Sequence, residues 1–237
     1  CETSPGPAYE INVEGTHAVA AASREAGAQL VHISTDQIFD GTEGWLGEDA
    51  PPRPLNVYAR TKWLAEQVAL SACPGALVVR TNFYGWGTQS GKSFSDWILG
   101  HLQAGRAAQM FRDVFFTPIL VNDLLDILWD LVAGGAHGIY HVVGAERLSK
   151  YEFGLRVADA FGYPRDLITP IGIEDLGLRA RRPKEMSLRG DRATAAVGRP
   201  LPPVDAGLAR LRALQHEGWP EMLRRALQDN PLPSRRA

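Results

Sequence analysis

Two short apolar runs joined through a helix-like stretch constrain this chain most. Residues 28–34 (AQLVHIS) and 76–80 (ALVVR) are strand-length and mainly apolar, the second without a polar residue before its terminal Arg80. An unbroken apolar run suits a strand buried on both faces, the pattern of a parallel sheet covered by crossover helices. Residues 9–26 are Ala-rich and end at Gly27, and 56–72 run unbroken until Pro74; both read as helices. Helix, strand, helix, strand in that order predicts an α/β fold with a doubly wound parallel sheet.

Further helices are predicted over 93–102, 122–132 and 150–161, with a third strand at 139–143. In the 122–132 helix, Leu124, Leu125, Ile127, Leu128 and Leu131 form one broad apolar face. From Arg165 the sequence is irregular and rich in Arg and Pro until a helical end at 216–228. Residues 1–7 read as a turn, and 231–237 as a frayed end. The back half, with more loops and shorter strands, is expected to form a smaller C-terminal substrate lobe. On this reading residues 1–110 hold the sheet and the reacting groups. Residues 111–237 are mainly the lobe, with some segments returning to the sheet.

Composition narrows the partners. Lys and Arg number 25 against 27 Asp and Glu, a net charge of −2, which disfavours nucleic acid because phosphate binding needs a basic excess. The two cysteines, Cys1 and Cys73, exclude a disulfide scaffold and a four-cysteine zinc site; Cys73 reads as a small packed residue. No apolar run reaches the roughly 18 residues of a membrane span, and a cytoplasmic protein is expected. Only 4 of the 25 cations are Lys, so each Lys carries more information than an Arg.

Two of the chain's features point to chemistry. Tyr58 and Lys62 stand four apart on a predicted helix, so one helical face presents both. The strand at 28–34 runs into Ser34, Thr35 and Asp36, and ligands of open parallel sheets bind beyond the carboxyl ends of strands. The polar loop at 35–53 is long enough to be functional. Local capping of backbone amides is the alternative for these hydroxyls, preferred for Ser34 and not for Thr35. His137 and His141 are also four apart, but on a strand that is about 13 Å, so packing or a local hydrogen bond is expected and no metal site. Trp63, Trp97 and Trp129 fall on predicted helices and read as core residues; Trp45 and Trp86 fall in loops.

The order of motifs carries a resemblance. Ser34-Thr-Asp-Gln-Ile-Phe-Asp-Gly41, then an acidic, Pro-containing loop, then Tyr58-Ala-Arg-Thr-Lys62, then Arg80-Thr-Asn-Phe-Tyr-Gly85 resembles the extended short-chain dehydrogenase/reductases, in their dTDP-4-dehydrorhamnose reductase branch. Ile11-Asn12-Val-Glu-Gly15, Arg112-Asp-Val-Phe-Phe-Thr-Pro118, Gly138-Ile-Tyr-His141, Leu148-Ser-Lys-Tyr-Glu-Phe153 and Arg182-Pro-Lys-Glu-Met-Ser-Leu188 resemble further segments of that branch. Ala59 departs from it, standing where Gly is usual. The Gly-rich strand–loop–helix that opens such proteins has no counterpart here, so the resemblance implies a Rossmann-like sheet lacking its first strands, in an N-terminally truncated chain.

The resemblance implies NADP or NAD as cofactor, with the segment that selects between them absent, and reduction of the 4-keto group of a nucleotide-activated deoxysugar. Tyr58 is then the proton donor, Lys62 lowers the phenol's pKa and holds the nicotinamide ribose, and Thr35 holds the substrate oxygen. Ser34, Arg80 and Asn82 are placed with Tyr58 and Lys62 beside the cofactor, a rim salt bridge being the alternative for Arg80. Asp36, Asn82, Trp86, Arg112 and Arg182 are placed beside the substrate, and Asp36 positions either the sugar or Thr35. The partner is a nucleotide sugar, and a homodimer is compatible with the family. A second resemblance, to the beta subunit associated with methionine adenosyltransferase, implies a non-catalytic regulatory or binding subunit instead.

Overall fold

A computed structural model describes residues 1–88, 93–177 and 180–229. The elements in chain order are α1 (Pro5–Tyr9), α2 (Gly15–Glu25), β1 (Val31–Ile33), α3 (Val57–Ala72), β2 (Leu77–Arg80), β3 (Phe83–Tyr84), α4 (Phe94–Gln103), β4 (Ala108–Phe111), β5 (Phe115–Phe116), β6 (Ile119–Leu120), α5 (Val121–Ala133), β7 (Gly138–His141), β8 (Leu148–Ser149), α6 (Lys150–Phe161), β9 (Ile168–Ile171), α7 (Asp191–Val197), α8 (Val204–His216) and α9 (Trp219–Asp229). The expected frayed end at 231–237 lies outside the described residues.

The fold is α/β and its main sheet is parallel, in the order β1-β2-β7. Val31 pairs with Leu77 and Arg80 with His141, so the carboxyl ends of all three strands leave on one side. The unbroken apolar run of β2 is explained by burial on both faces. Leu77 and Val79 pack with Ile127, Leu128 and Leu131 of α5, and Val78 with Ala20 of α2 and Ala69 of α3. A third cluster packs α4, α6 and α8 around Met110, Phe116 and Phe153, drawing residues from both sides of position 110.

Local chemistry sets the helix boundaries. Asn56 caps α3 by accepting from the Ala59 amide at 2.9 Å. Ser93 with Asp96 and Ser149 with Glu152 form reciprocal capping boxes at α4 and α6.

Several expectations are corrected. Residues 5–7 are helical, because Pro5 occupies the first turn, where its missing N–H costs nothing. A π-helical segment, Glu10–Glu14, then joins α1 to α2. The third strand ends at His141; Val142 and Val143 are buried past its end. The region after Arg165 holds β9, α7 and α8, and in α8 Val204, Leu208 and Leu211 are buried at helical spacing. Trp129 is 72% exposed and Leu125 49%, since both stand on the outer side of α5, away from Leu124, Ile127, Leu128 and Leu131. Cys73 is buried in the cluster with Val78, and Trp63 and Trp97 pack against the cores, as expected.

The chain leaving β7 crosses the 117–118 segment closely. A Cβ at Gly144 would lie 2.1 Å from the Pro118 carbonyl oxygen, and a backbone atom cannot swing aside. Gly144→Ala is expected to cost about 1–3 kcal/mol, read as a lower Tm; an unchanged Tm would show that this crossing is loose. Among the described residues, no helix is long and apolar enough to cross a membrane.

Candidate active site

The site forms where β1 and β2 end and α3 begins. Past β1 the Ser34 amide still bonds the Val79 carbonyl, at 2.7 Å, which holds Ser34 and Thr35 in line with the sheet. Ser34, Thr35 and Asp36 are all buried. Thr35 caps a short 3-10 turn, Asp36–Ile38, its hydroxyl accepting from the Gln37 amide at 3.2 Å and donating to Asp36 Oδ1 at 3.3 Å. Asn82 Nδ2 donates to Asp36 Oδ2 at 2.5 Å.

Tyr58 and Lys62 come to the same place from the first two turns of α3. The Thr35 hydroxyl and the Asp36 carboxyl both act on the Tyr58 phenol. Lys62 Nζ donates to the Ile33 carbonyl at 2.7 Å. The spacing i, i+4 and the strand-end hydroxyls therefore meet as the sequence predicts. Asn12, in the π-helical segment, donates to Thr61 Oγ1 at 2.9 Å and ties that segment to the same helix.

Burial dominates the electrostatics of the site. Burial pushes the Tyr58 phenol above its ordinary value and the Asp36 charge adds to this, while the Thr35 hydroxyl works the other way. The Lys62 ammonium is itself desolvated, which lowers its own pKa, and it is committed to a backbone carbonyl. Tyr58 thus keeps its proton at neutral pH, the form a proton donor requires.

Arg80 and Ser34 belong to a layer beneath the site. Arg80 is 2% exposed and its guanidinium grips Glu66, with Nη2 at 2.8 Å from Oε2 and Nε at 3.1 Å from Oε1. Ser34 Oγ donates to Glu66 Oε1 at 2.5 Å. On the far side, Arg80 Nη1 lies 3.4 Å from His141 Nε2, and His141 Nδ1 lies 3.2 Å from the Leu46 carbonyl. These partners fit a neutral imidazole, and burial next to Arg80 pushes its pKa down to about 3. Arg80 is therefore a buried structural cation and does not reach out to a cofactor. His137 makes only a local contact, to the Gly135 carbonyl at 3.3 Å.

The remaining expected residues separate. Arg182 is exposed and lines a cleft of about 280 Å³ with Asp40, Thr42 and Leu55. Its charge acts on Lys150, the first residue of α6, which in turn acts on Asp36. Arg112 is exposed beside Gly172, with its amide bonded to the Ile171 carbonyl. Trp86 donates its indole N–H to the Leu211 carbonyl at 3.0 Å and packs edge-on against Phe161, so it braces α8. Trp45 is exposed, at a positive φ of 54°. Lys150 and Glu66 were not found by sequence reasoning. The scarcity of Lys was a usable signal for the first; nothing local marks the second.

Comparison with known proteins gives the family and the fold. The RmlD substrate binding domain model matches residues 1–216. The chain belongs to that family. It is 31% identical to the dTDP-4-dehydrorhamnose reductase of Mycolicibacterium smegmatis, the match covering 98% of this chain and 69% of that one. It is equally 31% identical to methionine adenosyltransferase 2 subunit beta of Danio rerio, over 78% of this chain and 59% of the relative. Among solved structures, a dTDP-4-dehydrorhamnose reductase from Bacillus anthracis, in complex with NADP, superposes with a TM-score of 0.82 at 27% identity, covering 90% of this chain and 75% of that one. This family member thus spans between about three-fifths and three-quarters of the length of these proteins.

Proposed function

We propose that this chain carries the catalytic groups of a nicotinamide-dependent reductase acting on a 4-keto group of a nucleotide-linked deoxysugar. The observation that carries the reading is the convergence of Thr35, Tyr58 and Lys62 at the carboxyl end of β1. The donors present fit an NADP or NAD ribose: an ammonium has three N–H bonds, and among the described residues the Ile33 carbonyl takes one from Lys62. Lys62 and Tyr58 would hold that ribose between them. When bound, the nicotinamide supplies the hydride to the substrate carbon.

Every other part of the reaction falls to the chain itself. Thr35, whose single O–H points to Asp36 in the free protein, turns it to the substrate oxygen as negative charge develops there. Tyr58 transfers its proton to that oxygen and the phenolate regains one from solvent. Asn82 and Arg182 face the sugar nucleotide, the buried Asp36 holds Thr35 and Asn82, and Lys62 supplies fixed positive charge. Residues from the β1–β2–β7 side carry the reaction and the α4–α6–α8 side the substrate. The test is NADPH oxidation, followed by absorbance, with a dTDP-4-keto-6-deoxy sugar. Turnover is expected, and Thr35→Val should lower kcat/KM by about 10²-fold. No oxidation by the unaltered protein would overturn the reading.

The equal identity to the methionine adenosyltransferase subunit supports a second reading, a non-catalytic binding subunit. It requires a stable hetero-oligomer with a methionine adenosyltransferase chain and no reductase rate. The intact Thr35–Tyr58–Lys62 set favours the reductase.

A further inference from the structure

Asn56 serves two partners at once. Its Oδ1 accepts from the Ala59 amide at 2.9 Å, which caps α3, and its Nδ2 donates at 2.9 Å to the Arg181 carbonyl, 125 residues further along the chain. A carboxamide offers an acceptor on one side and donors on the other, so turning this one over would lose both bonds. Among the described residues, Asn56 is the one hydrogen-bond partner of residues 180–182. The chain beyond them is fastened through its backbone. The Phe115 amide donates to the Lys184 carbonyl at 2.7 Å, the Met186 amide to the Phe115 carbonyl at 3.0 Å, and the Leu46 amide to the Ser187 carbonyl at 3.1 Å. A Cβ at Gly41 would lie 2.6 Å from the Pro183 side chain, so that contact is also close.

The segment that Asn56 holds carries charge. Arg181 and Arg182 line the cleft of about 280 Å³ with Lys184, Asp40, Thr42 and Leu55. The acids of that cleft are engaged: Asp40 accepts from the Thr42 amide and hydroxyl and pairs with Arg53, and Glu174 pairs with Lys184. Among the described residues, Arg181 and Arg182 form no ion pair, and two unpaired guanidinium forks suit phosphate oxygens. The cleft shares its chain segments with the reaction site. Asp40 follows the Asp36–Ile38 turn, and Leu55 precedes the α3 turn that carries Tyr58. We propose that Asn56 is a positioning residue: its amide latches the Arg181–Arg182 segment to the first turn of α3, so that the cleft takes the diphosphate of a nucleotide sugar at a fixed reach from the Tyr58 hydroxyl. The inference rests on the reductase reading.

A sugar ring is a rigid spacer between its anomeric phosphate and its carbonyl, so the cations and the proton donor must keep one separation. A single amide, on the residue that caps the Tyr58 helix, supplies that link. Without it, residues 180–182 are ordered only as the substrate binds, and the cost of ordering falls on binding. Bound substrate and transition state lose alike, so KM rises while kcat stays. Asn56→Ser keeps an acceptor for the Ala59 amide and a cap of equal quality, but its side chain is too short to reach Arg181. Asn56→Ala loses both bonds.

In NADPH oxidation both variants are expected to raise KM for the nucleotide sugar alike, by about 3–10-fold, the worth of one hydrogen bond. The KM for NADPH and kcat should hold, and only Asn56→Ala should lower Tm. A KM rise confined to Asn56→Ala would make Asn56 a helix cap and overturn the latch. In a protein carrying Arg181→Met and Arg182→Met, Asn56→Ser should add nothing further to KM; additive rises would overturn it as well. Thymidine diphosphate, titrated by calorimetry, separates this inference from the reductase reading, since its Kd should rise by the same factor in Asn56→Ser. That shift in Kd, with no NADPH oxidation by the unaltered protein, refutes the reductase and supports the latch. Turnover with an unmoved Kd, or no binding of thymidine diphosphate, overturns the latch alone.

Discussion

Tyr58→Phe is expected to lower kcat by about 10²–10⁴-fold and to leave Tm nearly unchanged. The ring stays half-buried on α3, and only the hydroxyl beside Thr35 is lost. That hydroxyl is the proton source for the new alcohol, so its removal affects the transition state more than substrate binding; KM should change little. The sign of the pH dependence follows from the direction of the shift. Burial and Asp36 raise the phenol's pKa, so the donor stays protonated through neutral pH. The alkaline limb of kcat in the unaltered protein should therefore lie above the ordinary tyrosine value of about 10. A limb near neutrality would mean that Lys62 dominates the phenol after all.

Replacing Arg80 by Met should have the largest effect on stability. Glu66 is 0% exposed and its carboxylate would be left buried without its guanidinium. Breaking one side of a buried pair costs about 3–5 kcal/mol, which for a chain of this size lowers Tm by roughly 6–20 °C. The Glu48 carbonyl and His141 Nε2 lose a donor at the same time. The double variant Glu66→Met, Arg80→Met should recover most of the loss, because no orphaned charge remains. Calorimetry of the single and double variants checks this; a single variant as costly as the double would show that packing, not charge, holds this layer. Because Ser34 Oγ is anchored on Glu66, the loss should also reach the adjacent Thr35, seen as a fall in kcat.

Much of the framework was legible in the chain. An uninterrupted Leu77-Val-Val run belongs only to a strand covered twice, and α2, α3 and α5 cover it. Caps at Asn56, Ser93 and Ser149 mark helix starts because a side-chain acceptor answers an otherwise unpaired amide. Failures came where burial is decided by a neighbour. Trp129 and Leu125 are as apolar as Leu128, yet no element packs on their side of α5. Between Arg165 and His216, frequent Pro and Arg masked the period of Val204, Leu208 and Leu211 in α8. Arg80 was expected beside the cofactor or in a rim salt bridge, and it is a salt bridge that forms, but buried, because Glu66 from the neighbouring helix meets it.

By itself, the amino-acid order determined which segments become β1, β2 and α3, and that a phenol, an ammonium and a threonine hydroxyl emerge at their junction. Those outcomes depend on hydrophobic period, helical pitch and capping, all of which act over a few residues. Tertiary structure alone decided the charge states. Burial raises the pKa of the Tyr58 phenol; Glu66 closes on Arg80; and α6 carries Lys150 to the Phe94 and Phe116 rings. Desolvation and long-range Coulomb coupling depend on what is packed around a group, and that is known only once distant segments have met.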